Sequence, residues 1–169
     1  MREFVVATGG VTLGSTVGSV TLVYLRASGA PNMNIEVLRW WIGQSANATS
    51  AQQRVLVAWR GSGFPTLGAL TPVSLKMQDP NASVLIGSTV GSTAGIAGVN
   101  ASAETTTGAS TYGTGINDAF NVLNGWLQVP TPPETWINPA GHGSGLAMVM
   151  PVQPATTTSW SFGVNFREV

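Results

Sequence analysis

Apolar and polar residues alternate with a period of two along most of this chain. In residues 159–168, Trp160, Phe162, Val164 and Phe166 alternate with Ser161, Gly163, Asn165 and Arg167. That is the pattern of a strand with one face on a core and one in water. Residues 54–60 repeat it, with Val55, Val57 and Trp59 set against Arg54, Leu56, Ala58 and Arg60. Residues 20–26 are rich in β-branched and aromatic side chains (Val20, Thr21, Val23, Tyr24), again strand-like. Strict alternation in 35–42 puts Ile35, Val37 and Trp41 on one face and Glu36, Leu38, Trp40 and Ile42 on the other, so both faces look covered. Further strands are expected at 120–128, 135–138 and 146–150, and a first strand near Met1.

Between these runs lie Ser28-Gly29-Ala30-Pro31, Gly61-Ser62-Gly63, Asp79-Pro80-Asn81, Pro130-Thr131-Pro132-Pro133 and Pro139-Ala140-Gly141-His142-Gly143. Gly supplies positive φ, Pro fixes φ, and Asn or Asp closes local turns, so each cluster ends a strand. About eight strands punctuated in this way predict an all-β sandwich or barrel in a single domain spanning 1–169. Helix is expected only as a short turn at 116–120, capped by Asn117 or Asp118. Residues 87–115 stand apart: Gly, Ser, Thr and Ala dominate, with Ile96, Val99 and Tyr112 as the few large apolar residues. They read as a long loop, or as an extended arm that orders against a neighbouring subunit.

Composition changes the picture in one respect. Charged residues make up 8% of the chain, against roughly a quarter in a typical soluble protein. The formal net charge is +0. A surface of Ser, Thr, Asn, Gly and small apolar groups has weak long-range fields and little colloidal repulsion, which suits permanent packing against copies or a scaffold. A secreted or heat-adapted domain with a polar uncharged surface is the plainer alternative. Six arginines and one lysine form no basic stripe, so nucleic acid is not an expected partner. No run of about 18 apolar residues suggests a membrane helix. The start lacks the apolar core of a signal peptide, which points to synthesis in a cytoplasm. Absent cysteine excludes disulfides and thiolate metal sites.

Catalytic chemistry finds little support. His142 is the only histidine, and Gly141-His142-Gly143-Ser144-Gly145 has His where a nucleophile elbow needs Gly. It reads as a turn or interface histidine. The seven acids are scattered, Asp79-Pro80-Asn81 lacks the acid spacing of a calcium loop, and no phosphate-binding loop is present. No cofactor and no enzymatic activity is expected. The three Asn-x-Ser/Thr sequons, at Asn47, Asn81 and Asn100, are what so Ser/Thr-rich a chain produces by accident.

The six tryptophans carry more information. Trp59 and Trp160 lie on apolar faces and read as core. Trp40 and Trp41 are adjacent, so in a strand one of them must leave the core and be covered by a loop, a partner or a ligand. Trp126 and Trp136 flank the Pro-rich turn and can be exposed. Trp40, Trp41, Trp126, Trp136 and Tyr112 are therefore the candidate interface residues.

Several stretches together resemble a group of small virion proteins of tailed phages. They are Ile35-Glu36-Val37-Leu38-Arg39, Ile42-Gly43-Gln44-Ser45 with the following Ala46 to Gln52, and Arg54-Val55-Leu56-Val57-Ala58-Trp59-Arg60. Gly68-Ala69-Leu70-Thr71-Pro72-Val73-Ser74-Leu75, Phe120-Asn121-Val122-Leu123-Asn124-Gly125-Trp126, Val129-Pro130-Thr131-Pro132-Pro133-Glu134 and the closing Ser161 to Glu168 continue the likeness. The resemblance runs from about Phe4 to the C-terminus and fits 87–115 least. It implies a capsid decoration (cement) protein with a jelly-roll fold. Such a protein forms a homotrimer on the outer surface of the head, where it binds the major capsid protein and stabilises its contacts. No catalytic residue belongs to that pattern. The alternative is a carbohydrate- or receptor-binding sandwich of a head fibre, which would present a shallow aromatic platform.

Overall fold

A computed structural model describes residues 2–14, 19–27, 33–45, 52–60, 66–69, 71–76, 83, 85–87, 95–102, 115–132, 134–141 and 145–169. The described residues form no helix and thirteen strands. In chain order these are β1 (Arg2–Leu13), β2 (Val20–Arg26), β3 (Ile35–Gln44), β4 (Gln52–Arg60), β5 (Thr66–Ala69), β6 (Val73–Ser74) and β7 (Leu85–Gly87). β8 (Gly95–Ser102), β9 (Ile116–Asn121), β10 (Trp126–Gln128), β11 (Ile137–Asn138), β12 (Gly145–Met150) and β13 (Thr158–Glu168) follow.

They build two sheets. The first has the order β10-β3-β13-β1-β6, with β11 also paired to β3; the second has the order β5-β8-β2-β12-β4-β9, with β7 on β8. Every pairing is antiparallel except β7 with β8. Of the sandwich and the barrel that the strand pattern left open, the chain forms the sandwich: all-β, with two antiparallel sheets. β1 to β4 alternate between the sheets; β9 then returns beside β4 and β10 beside β3. Finally β12 enters between β2 and β4, and β13 between β1 and β3.

One continuous core joins the sheets, built from Phe4, Val6, Trp40, Ile42, Trp160, Phe162, Val164 and Phe166 on the first and Leu22, Val23, Leu25, Val55, Val57, Leu146 and Met148 on the second. Phe4 stacks on Phe166 at 5.8 Å, and Phe120 of β9 meets Trp160 of β13 edge-on at 6.3 Å, across the sandwich. Each such large side chain taken fully from water contributes about 1.5–3 kcal/mol. Where β11 approaches the end of β2, the buried Asn138 accepts the Ala27 N–H through Oδ1 at 2.5 Å, satisfying a donor that would otherwise be stranded.

Three expectations change. Residues 116–120 are the extended strand β9, not a helical turn, paired to β4 from Val57–Ile116 to Gln52–Asn121. Sheet pairing overrides the capping signal there: Asp118 Oδ1 accepts the N–H of its own neighbour Ala119, and Oδ2 accepts Trp126 Nε1. The single strand expected at 120–128 is broken after Asn121, whose Oδ1 accepts the Leu123 N–H at 2.9 Å, and the turn closes at Gly125 with φ 66°. Within 87–115, residues 95–102 are not an arm but strand β8, which pairs with β2 through Ile96–Arg26 to Val99–Val23.

Candidate functional site

The faces of β3 are set by a bulge. Opposite Asn165–Phe166 of β13, β3 spends two steps, from Val37 to Arg39, where β13 spends one. The extra residue reverses the alternation. Ile35 and Val37 point to the core before it, and Trp40 and Ile42 after it. Unbroken alternation would group Trp41 with Ile35; the bulge sends Trp41 to the outer face instead. Trp40 is 0% exposed, so this candidate offers no surface for an interface.

Trp41 lies on a floor made for it. Its strand neighbours are Leu127 on β10 and Gly163 on β13, and a Cβ at position 163 would overlap Cζ2 of the indole. Gly163 lets the ring lie on the sheet, where the Arg39 guanidinium sits 5.3 Å from its centroid. Next along the face, Gly43 opposes Ser161, and a Cβ on Gly43 would meet only open space. The β9–β10 turn rises beside this floor. The result is a cleft of about 360 Å³ lined by Trp41, Gly43, Gln44, Ser45, Asn124 and Ser161, with Leu123 and Leu127 at its rim.

Among the described residues no charged side chain lines this cleft. The Trp126 indole, packed against the core, forms part of its wall and donates from Nε1 to Asp118 Oδ2 at 3.1 Å. Trp136 is likewise half-buried and packed on the core, and its carbonyl accepts the Val37 N–H. Of the five candidate residues, Trp41 alone combines an outer-face position with the cleft. Tyr112 lies outside the described residues, as do His142 and residues 79–81.

Beyond the cleft the outer face is mixed. One row runs Leu127–Trp41–Gly163–Ala7, the next Arg39–Asn165–Val5–Val73, and the last Ile137–Glu36–Arg167–Glu3. The Glu36 carboxylate accepts from Arg167 Nε at 2.5 Å, and that hydrogen bond raises the Arg167 pKa above its ordinary value. At the far edge, Val73 is 63% and Leu75 42% exposed, next to Lys76, the one lysine of the chain. Sequence reasoning passed over Leu127, Val73, Leu75 and the two glycines. Gly43 and Gly163, spaced along the outer faces of two strands, were the available signal for a cleared floor.

Among the described residues no cluster of three or more His, Cys, Asp or Glu side chains could hold a metal ion, and no helix is long and apolar enough to cross a membrane. No protein-family model, curated protein or solved structure matches the chain.

Proposed function

We propose that this chain is a structural decoration protein of a virus head, non-enzymatic, binding the outer surface of a major capsid protein lattice as a homotrimer. The observation that carries the reading is the unpartnered apolar strip at the β6 edge, Val73 and Leu75 beside Val5. β6 is two residues long and ends the first sheet, and among the described residues no strand of that sheet lies beyond it. Exposed apolar side chains at an open edge, on a chain with 8% charged residues, suit a contact made once and kept.

The strand order supports the same reading. β10-β3-β13-β1 in one sheet and β9-β4-β12-β2 in the other are orders compatible with two interleaved Greek keys, as in the jelly rolls of capsid and lectin domains. Fold alone does not assign function, so the weight rests on the edge. Binding to the assembled lattice and not to the free coat subunit stabilises the lattice by mass action, and many copies of a modest contact add up.

The test is the solution mass by light scattering, followed by heating of capsids with and without the protein. The expected outcome is a trimer of 17.4 kDa chains and a lattice that withstands higher temperature when decorated. Val73→Asp combined with Leu75→Ser is expected to dissociate the trimer or release it from the lattice while leaving the fold intact. A monomer that leaves capsid melting unchanged defeats the reading.

A further inference from the structure

We propose that the cleft beside Trp41 binds a neutral saccharide. This goes beyond the decoration reading and does not depend on it. The cleft spans β10, β3 and β13 toward one edge of the first sheet, whereas the apolar strip lies on β1 and β6 toward the other. A contact made at one edge leaves the other free.

The chemistry of the walls selects the ligand. A volume of about 360 Å³ falls at the low end of small-molecule sites. An anion or cation of any size needs counter-charge or dense hydrogen bonding to offset its desolvation; among the described residues no charged side chain lines the cleft, and the nearest cation, Arg39, is stacked on the Trp41 ring. A purely apolar ligand would cover the Ser45, Asn124 and Ser161 side chains without offering them partners. A ligand with one C–H face and a fringe of hydroxyls satisfies both halves: the face against Trp41 and Leu127, the hydroxyls toward the amide and serines. A pyranose has that shape.

Preorganisation is built in. Gly163 seats the indole, Gly43 leaves open the floor beside it, and Gly125, at φ 66°, turns the chain into β10 with its Cα close to the Ile42 carbonyl. A site whose aromatic face is already fixed loses less on binding. The exposed Arg39 guanidinium lies over the Trp41 ring, so the sugar takes the ring face as Arg39 swings aside to donate to a hydroxyl.

The experiment titrates the full chain with a panel of neutral di- and trisaccharides (gluco-, galacto-, manno- and N-acetylglucosamine-based) and with one sialylated trisaccharide, reading tryptophan fluorescence and indole N–H chemical shifts. Saturable perturbation of the Trp41 indole by at least one neutral sugar is expected. Trp41→Ala is expected to weaken that binding at least tenfold. Gly43→Val, which fills the floor without touching the core, should do the same, and the solution mass should stay unchanged in both. No saturable response across the panel, equal affinity in the two variants, or preference for the sialylated sugar overturns the proposal. Loss of sugar binding with an intact trimer, or the reverse, separates this site from the assembly edge.

Discussion

The middle of the second sheet and the outer face of the first are built from similar residues and treated oppositely. In β2, Val20 through Leu25 are all buried, and in β12 all of Gly145 through Met150 are. Their outward positions, Tyr24–Ala147–Ala58 across the sheet, are therefore as dry as their inward ones. Ala58 and Ala147 are small where the inward Val57 and Met148 are large, as a closely covered face requires. On the first sheet the outward residues Ala7, Leu127 and Val73 are exposed, and Trp41 is half-buried. The difference teaches where contact with anything else is available. One sheet face is closed, and the other still has apolar side chains to bury.

The sharpest break of that comparison is across adjacent residues. Trp40→Ala removes a fully buried indole and should cost about 3–5 kcal/mol of unfolding free energy, measured by denaturant titration. Trp41→Ala removes a half-buried one lying on the sheet and should cost about 1 kcal/mol. Equal costs would mean that the bulge at Val37–Arg39 does not divide the two rings as described.

The next is a matched pair of enlargements. Ala147→Leu overfills a closed face and is expected to destabilise by about 1–3 kcal/mol. Ala7→Leu, at an exposed outward position beside Gly163, should stay within about 0.5 kcal/mol. If both are tolerated, the outer face of the second sheet is less closed than its burial indicates.

These pairs also mark what the sequence could convey. β2, buried on both faces, was legible in its β-branched and aromatic residues, whereas period-two alternation located β3, β4 and β13 nearly to their ends, because half-buried strands write their burial directly into residue order. It could not place Trp40 and Trp41, because one inserted residue in β3 reverses every later side chain and a bulge has no obligatory residue signature. By contrast, the bulge in β1 between Thr8 and Val11 does leave a trace, in Gly10 at φ 70°. β8 was hidden for another reason: its Gly, Ala and Ser residues have low strand preference, and pairing with β2 and β5 makes the strand. The cleft was only half legible. Trp41 was singled out, but Ser45, Asn124 and Ser161 converge from three separate segments, and no local pattern announces that.

The smallest expected effect concerns the paired-charge row on the open face. Glu36 and Arg167 join β3 to β13 across Ile137 and Glu3, with both side chains partly in solvent. Glu36→Gln should cost about 0.2–1 kcal/mol at low ionic strength, and less as salt screens the pair. Raising the pH is not the lever. A cationic group whose folded-state pKa is raised keeps its contribution below its unfolded value and loses it only as the pH climbs through the higher one. For Arg167 that window lies beyond arginine's own ordinary range. The expected signature is thus a stability difference between wild type and Glu36→Gln that shrinks with added sodium chloride yet holds steady from neutral to mildly alkaline pH. A difference that ignores salt would assign the role of Glu36 to packing against Ile137 instead of charge, and would make the open face less electrostatic still.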